Sequence, residues 1–269
     1  MNRIVKLLAV ALIACMTLAS CSGAEGAEQN TEDNSTVAEN EEDTIAYPTP
    51  DGKKVVCLDA GHGFRDIGCD SDMMEGTEAQ VTMAITLLVK QELEKMGACV
   101  ILTHDGITHP SAEEIKRAAN SAGVEYEEES IIENDIFSAY ERAIYAASIA
   151  EEEGIDLFLS LHVNSIENHP EISRYEIDYH SGNPYANALG ELCSALAERL
   201  DNEAVIFEDE TEKAFIVTKI GSHPSLLLEM GYSTNAEDCA RLNSNVWRES
   251  FAKEIADTVM EWISSYEEK

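Results

Sequence analysis

Lys54-Val55-Val56-Cys57-Leu58-Asp59-Ala60-Gly61-His62-Gly63 decides how the rest of the chain is read. The short apolar run predicts a buried strand over 54–59, and the glycine-flanked histidine predicts a tight turn after it. Downstream, Val81, Ala84, Ile85, Leu88, Val89 and Leu93 recur at helical spacing. That pattern predicts a helix over 77–96, with Thr77 as N-cap and Gly97 as its stop. Further out, strands are expected over 99–103, 157–161, 175–179, 215–217 and 225–228, and helices over 135–150, 185–200 and 245–266. Residues 104–134 read as one long connection, a length unusual unless it is functional or partly structured. Strands alternating with helices imply an α/β fold: a single domain with a mostly parallel central sheet and helices on both faces.

The segment ahead of this domain has a different composition. Arg3 and Lys6 precede an apolar run from Leu7 to Leu18, the layout of a secretory signal peptide and too short to span a bilayer comfortably. Leu18-Ala19-Ser20-Cys21 resembles the lipobox of bacterial lipoproteins, which implies cleavage after Ser20 and lipidation of Cys21. Several acyl chains on one cysteine would hold a protein firmly on a membrane. Residues 22–50 carry no Lys or Arg and almost no large apolar side chains, so they read as an acidic, disordered tether. The expected organisation is therefore a signal peptide over 1–20, lipidated Cys21 with its tether over 21–52, and a folded catalytic domain over 53–269. Such a protein works outside the cytoplasm, anchored to the outer face of a membrane.

The 52 Asp and Glu outnumber the 18 Lys and Arg, for a formal net charge of −34. Nucleic acid is thereby excluded as a partner, because phosphate binding needs clustered cations. The acidic runs Glu127–Glu129, Glu151–Glu153 and Glu208–Glu212 read as solvated surface. The folded part keeps Cys57, Cys69, Cys99, Cys193 and Cys239, an odd count without CxxC spacing, and no disulfide framework emerges.

Ligands of open α/β sheets gather beyond the carboxyl ends of the strands. His62 follows the first expected strand, His162 ends the third, Glu229 ends a later one, and Glu78 opens the helix after the His62 loop. Two imidazoles and one carboxylate leave a tetrahedral zinc ion one position for water, as catalytic zinc requires. Glu229 would then remain to handle a proton. Each residue has a plainer reading: a loop histidine, a helix-dipole carboxylate, a satisfied core histidine. Glu229 is the hardest to explain away, because a carboxylate directly after Leu226-Leu227-Leu228 is costly without a partner.

Leu58-Asp59-Ala60-Gly61-His62-Gly63, with Asp66 and Gly68 following, resembles the opening motif of the zinc-dependent N-acetylmuramoyl-L-alanine amidases of the amidase-3 family. Gly76-Thr77-Glu78, Leu159-Ser160-Leu161-His162-Val163-Asn164-Ser165 and Leu227-Leu228-Glu229-Met230-Gly231-Tyr232 follow in the family's order, and Arg142 falls where the family usually has an arginine. The resemblance covers roughly residues 54–265. It implies that His62, Glu78 and His162 hold Zn2+, that Glu229 is catalytic, and that the substrate is peptidoglycan. The implied bond joins the lactyl group of N-acetylmuramic acid to the L-alanine of a stem peptide. Departures include Glu75 competing with Glu78, Ala79 in place of a basic residue, His104 for an arginine, Arg174 for a glycine, and Glu208–Glu212 where an Arg-Gly segment is usual. They touch the substrate groove more than the metal. Two alternatives stay open: another zinc amidohydrolase or peptidase acting on wall peptides, and a catalytically silent wall-binding lipoprotein.

Overall fold

A computed structural model of the protein describes residues 52–126, 136–200, 204–209 and 215–267. The signal peptide, Cys21 and all of the tether but Gly52 lie outside the described residues. The expected sheet is present. Its strands are β1 (Val55–Ala60), β2 (Cys99–Leu102), β3 (Leu157–Asn164), β4 (Tyr175–His180), β5 (Ala204–Asp209) and β6 (Ser225–Tyr232). They lie in the order β2-β1-β3-β6-β4-β5. β2, β1, β3 and β6 pair in parallel, while β4 pairs antiparallel with β6 and parallel with β5.

Side-chain alternation along the strands sorts two faces. Val56, Leu58, Leu159, Leu161, Leu226 and Leu228 pack against α1 (Glu78–Lys95), α4 (Ala186–Arg199) and α6 (Asn245–Glu267). Cys57, Phe158 and Leu227 face α3 (Ala139–Glu153) on the other side. The same alternation puts Asp59, Ser160, His162 and Glu229 on the α3 side, nearer the carboxyl ends. α2 (Ala112–Ser121) lies within the long connection and packs on α3 through Ile115, Ala118, Ile144 and Tyr145. The described part of 104–134 is thus partly helical.

Some boundaries differ from the sequence pattern for local reasons. α3 starts at Ala139 rather than near 135 because Ser138 caps it. The Glu141 carboxylate accepts the Ser138 N–H at 2.7 Å, and Ser138 Oγ accepts the Glu141 N–H at 3.3 Å, a reciprocal capping box. The strand expected over 215–217 is instead a 3-10 turn, Ile216–Thr218, closed by the Thr218 N–H donating to Phe215 O at 3.0 Å. Its β-branched residues carried a strand signal, but three residues without a neighbouring ladder form a turn. β5 and α5 (Ala236–Asn243) are additional elements.

A buried ion pair ties α3 to β1. Arg142 Nε donates to Asp59 Oδ1 at 2.8 Å, and Thr103 and Ser160 hydroxyls donate to the same carboxylate at 2.6 Å each. Burial alone would raise the Asp59 pKa, but the Arg142 charge, His104 and the two hydroxyls together hold it below its usual value. Taking away one half of such a pair strands a buried charge and costs about 3–5 kcal/mol. The pair therefore fixes the strand that delivers His62.

His223 precedes β6, buried beside Phe158 at a ring-centroid distance of 6.0 Å, with neither ring nitrogen hydrogen-bonded. Burial pushes its pKa from 6.5 down to about 4. Between those values the unfolded chain binds a proton that the folded one refuses, so this group makes stability fall as pH drops through that window. His223→Leu is expected to lose about 2–3 kcal/mol less than the parent between pH 7 and pH 4.5. Urea denaturation at the two pH values checks this, and parallel losses in both proteins would refute it.

Candidate metal centre

The first strand ends in a turn that only glycines allow. A Cβ on Gly61 would stand 2.5 Å from the His162 ring, and one on Gly68, at φ +67°, would stand 2.5 Å from Glu78 Oε2. His62 itself holds φ 65°, an uncommon conformation for a residue with a Cβ. That turn aims its ring across the rim. Glu78 opens α1 and is buried at 3% exposure. Its carboxylate accepts the Val163 N–H at 2.9 Å and the Cys69 N–H at 2.8 Å, so both oxygens are fixed by main chain. His162 does not end β3, which runs to Asn164, but lies at a register irregularity between His162 and Asn164, a feature common beside functional sites.

These elements bring His62, Glu78 and His162 together, with one potential ligand atom of each within 4.8 Å of the others. His62 Nε2 lies 3.2 Å and His162 Nδ1 3.1 Å from Glu78 Oε1. Burial would lower the His62 pKa, but Glu78 and then Asp66 outweigh it and raise it. Burial would likewise raise Glu78, yet hydrogen bonds from His162 and His62 hold it far below the usual carboxylate range. Asp66 Oδ2 sits 2.8 Å from His62 Nδ1, and its other oxygen accepts the Gly68 N–H at 3.1 Å. That contact suits a proton on His62 Nδ1, with the Asp66 oxygen accepting it. With no cation present, a proton on His62 Nε2 faces Glu78 Oε1, which is why Glu78 raises the His62 pKa. Loss of that proton would set the Nε2 lone pair against a carboxylate, an arrangement that a cation satisfies. His162 Nε2 is also buried without a partner. The donor set fits a borderline divalent ion such as zinc.

Glu229 is the strand neighbour of His162 in the β3–β6 register. It is buried at 5% exposure, and its Oε2 has no partner. Burial, then the charges of Glu78, Asp178 and Glu176, push its pKa well above the ordinary carboxylate value. Glu75 is exposed, and its N–H donates to Asn243 at 2.7 Å, so it is not part of the cluster. Asp66 is the partner of His62 that spacing alone did not reveal, although it lies within the glycine-rich turn.

Fold and rim together define an α/β enzyme of the hydrolase class. A family model for N-acetylmuramoyl-L-alanine amidases of the amidase-3 type matches residues 56–261, and the chain belongs to that family. It is 25% identical over 214 residues to the uncharacterized protein YqiI of Bacillus subtilis strain 168, covering 79% of this chain and 84% of that one. It is also 25% identical over 212 residues to N-acetylmuramoyl-L-alanine amidase LytC of the same organism. That match covers 76% of this chain but only 34% of LytC. The amidase AmiC2 of Nostoc punctiforme superposes with a TM-score of 0.56 at 25% identity, over 79% of this chain and 98% of the other.

Proposed function

We propose that the protein hydrolyses the amide bond between N-acetylmuramic acid and the L-alanine of peptidoglycan stem peptides, using zinc held by His62, Glu78 and His162. The observation that carries this reading is the convergence of those three donor groups within 4.8 Å, beside the strand neighbour Glu229. Bound zinc supplies Lewis-acid polarisation of a carbonyl and acidification of water, whose pKa can fall to about 7. The chain's own residues do the rest. Glu229 accepts the proton of the attacking water and returns it to the departing amine nitrogen, as general base and then general acid. Its raised pKa makes the ionised carboxylate a stronger proton acceptor. Asp66 keeps the His62 proton on Nδ1, leaving Nε2 free to ligate. The Val163 and Cys69 N–H groups hold the Glu78 carboxylate in place.

The same reading places the enzyme outside the cytoplasm, with residues 1–20 directing export and Cys21 carrying the lipid anchor. Peptidoglycan is then its substrate and the membrane its support. Mass spectrometry of peptidoglycan digested by the full chain is expected to show stem peptides with a free N-terminal L-alanine. Cuts confined to bonds within the stem would overturn the assignment.

A further inference from the structure

A cluster next to Glu229 has no part in the chemistry above. β4 runs antiparallel to β6 with Glu176 opposite Glu229. The start of β4 therefore lies at the carboxyl end of β6, on the same rim as His62 and His162. Arg174 stands just before that start. Its Nε donates to Glu176 Oε1 at 2.8 Å, and its Nη2 lies 2.6 Å from the same oxygen. The Tyr232 hydroxyl donates to Glu176 Oε1, and Asn164 Nδ2 donates to Glu176 Oε2 at 2.8 Å. The Arg174 guanidinium carbon lies 6.0 Å from the Tyr232 ring centroid, within cation–π range.

Glu176 thus has a definite task. Buried at 8% exposure, it accepts from three side chains, two of them on the strands that carry His162 and Glu229. Arginine loses much rotamer entropy when it is ordered, and here that cost is met before any ligand arrives. The guanidinium has five N–H donors, and Glu176 engages two of its nitrogens. Its side chain keeps 37% exposure, so part of it faces solvent. A pre-oriented arginine with a partly exposed side chain, on the rim that carries Glu229, suits a planar anion, which arginine grips with two parallel N–H bonds. The surrounding rim is acidic, with Glu78, Glu176, Asp178 and Glu229 all buried near it.

We infer that Arg174 is a specificity-determining residue that reads a free carboxylate on the stem peptide near the scissile amide, distinguishing it from the carboxamide. The inference rests on the proposed amidase reading. The test uses the full chain and two matched muramyl peptides, with a carboxylate or a primary carboxamide on the second stem residue. The parent protein is expected to favour the carboxylate by about tenfold in kcat/KM, mostly through KM, as a partly exposed charge-assisted pair should. Arg174→Gln is expected to lose that preference by slowing only the carboxylate substrate. Arg174→Lys, a point charge without the fork, should keep part of it.

Equal losses on both substrates would make Arg174 a structural brace for Glu176 and overturn the inference. So would a parent that does not discriminate. Calorimetric binding of the two free stem peptides to parent and Arg174→Gln reads the same preference without turnover. If the parent binds the carboxylate peptide selectively through Arg174 yet releases no free L-alanine terminus, the amidase reading fails and the carboxylate site stands. If turnover proceeds without selectivity, the reverse holds.

Discussion

Glu229→Gln is expected to lower peptidoglycan turnover by about 10²–10⁴-fold while leaving metal content and fold intact. The substitution keeps the side-chain volume and removes only the capacity to accept and return a proton. Glu229 is suited to that work because burial and the charges of Glu78, Asp178 and Glu176 keep its carboxyl basic. The same surroundings make it a poor structural residue, since its Oε2 is buried without a partner. Replacing a carboxyl that burial already penalises with an amide of the same size should leave the protein at least as stable as the parent, in the manner of other active-site substitutions. Three measurements on one sample decide the matter: release of stem peptides, metal stoichiometry and thermal unfolding. Loss of turnover with loss of metal would reassign Glu229 to the ligand set. Turnover within threefold of the parent would remove it from the chemistry.

The parallel half of the sheet was legible because its strands are short, continuous apolar runs, such as Val55-Val56-Cys57-Leu58 and Leu226-Leu227-Leu228. Both faces of these strands are covered, and no polar alternation blurs them. The signals for α2 were present too. Ser111 and Glu114 form a capping box, with Glu114 Oε2 accepting the Ser111 N–H at 2.7 Å. Its buried residues Ile115, Ala118 and Ala119 fall at helical spacing, but two of the three are alanines, so the apolar face carries little large side chain. β5 was harder to see. It is an edge strand whose Ile206 and Phe207 are each 39% exposed, so it lacks the burial pattern of its neighbours, and acidic residues crowd its end. α5 is announced by one residue, Asn235, whose side chain accepts the N–H groups of Glu237 and Asp238 at 2.9 and 3.0 Å.

The cluster of His62, Glu78 and His162 was readable for a topological reason. His62 follows β1, while β3 and β6 run on past His162 and Glu229 to Asn164 and Tyr232; both residues lie in the carboxyl-terminal halves of strands parallel to β1, and so on one rim. Choosing Glu78 over Glu75 needed helix phase; Glu78 is buried beside His62 and His162, and Glu75 is exposed. The Arg174–Glu176–Tyr232–Asn164 cluster could not be read in this way. It exists because β4 enters the sheet antiparallel beside β6, and nothing in the linear pattern fixes either the direction or the neighbour. A mostly parallel expectation would have sent Arg174 to the opposite rim. One reversed strand brings Arg174 to the end of the sheet that carries Glu229.

Stripping divalent metal with a chelator is expected to abolish turnover and lower Tm by about 10 °C. A ligand present at about 1,000 times its Kd stabilises a fold by about 4 kcal/mol, and each kcal/mol is worth roughly 2–4 °C in a domain of this size. The argument is geometric as well as thermodynamic. Asp66 lies 2.8 Å from His62 Nδ1, so Nε2 is the ring nitrogen left for a cation, 3.2 Å from Glu78 Oε1. Main-chain N–H groups at 2.8 and 2.9 Å prevent Glu78 from swinging aside. An empty cluster must take up a proton or loosen the turn held by Gly61 and Gly68. Zinc added back should restore both activity and melting temperature in the parent. His162→Ala provides the control: it should melt near the chelated parent, retain little metal, and gain nothing from added zinc. Elemental analysis and thermal scans read these outcomes independently of turnover. A chelated parent with unchanged melting and full activity would refute the assignment of His62, Glu78 and His162 as metal ligands.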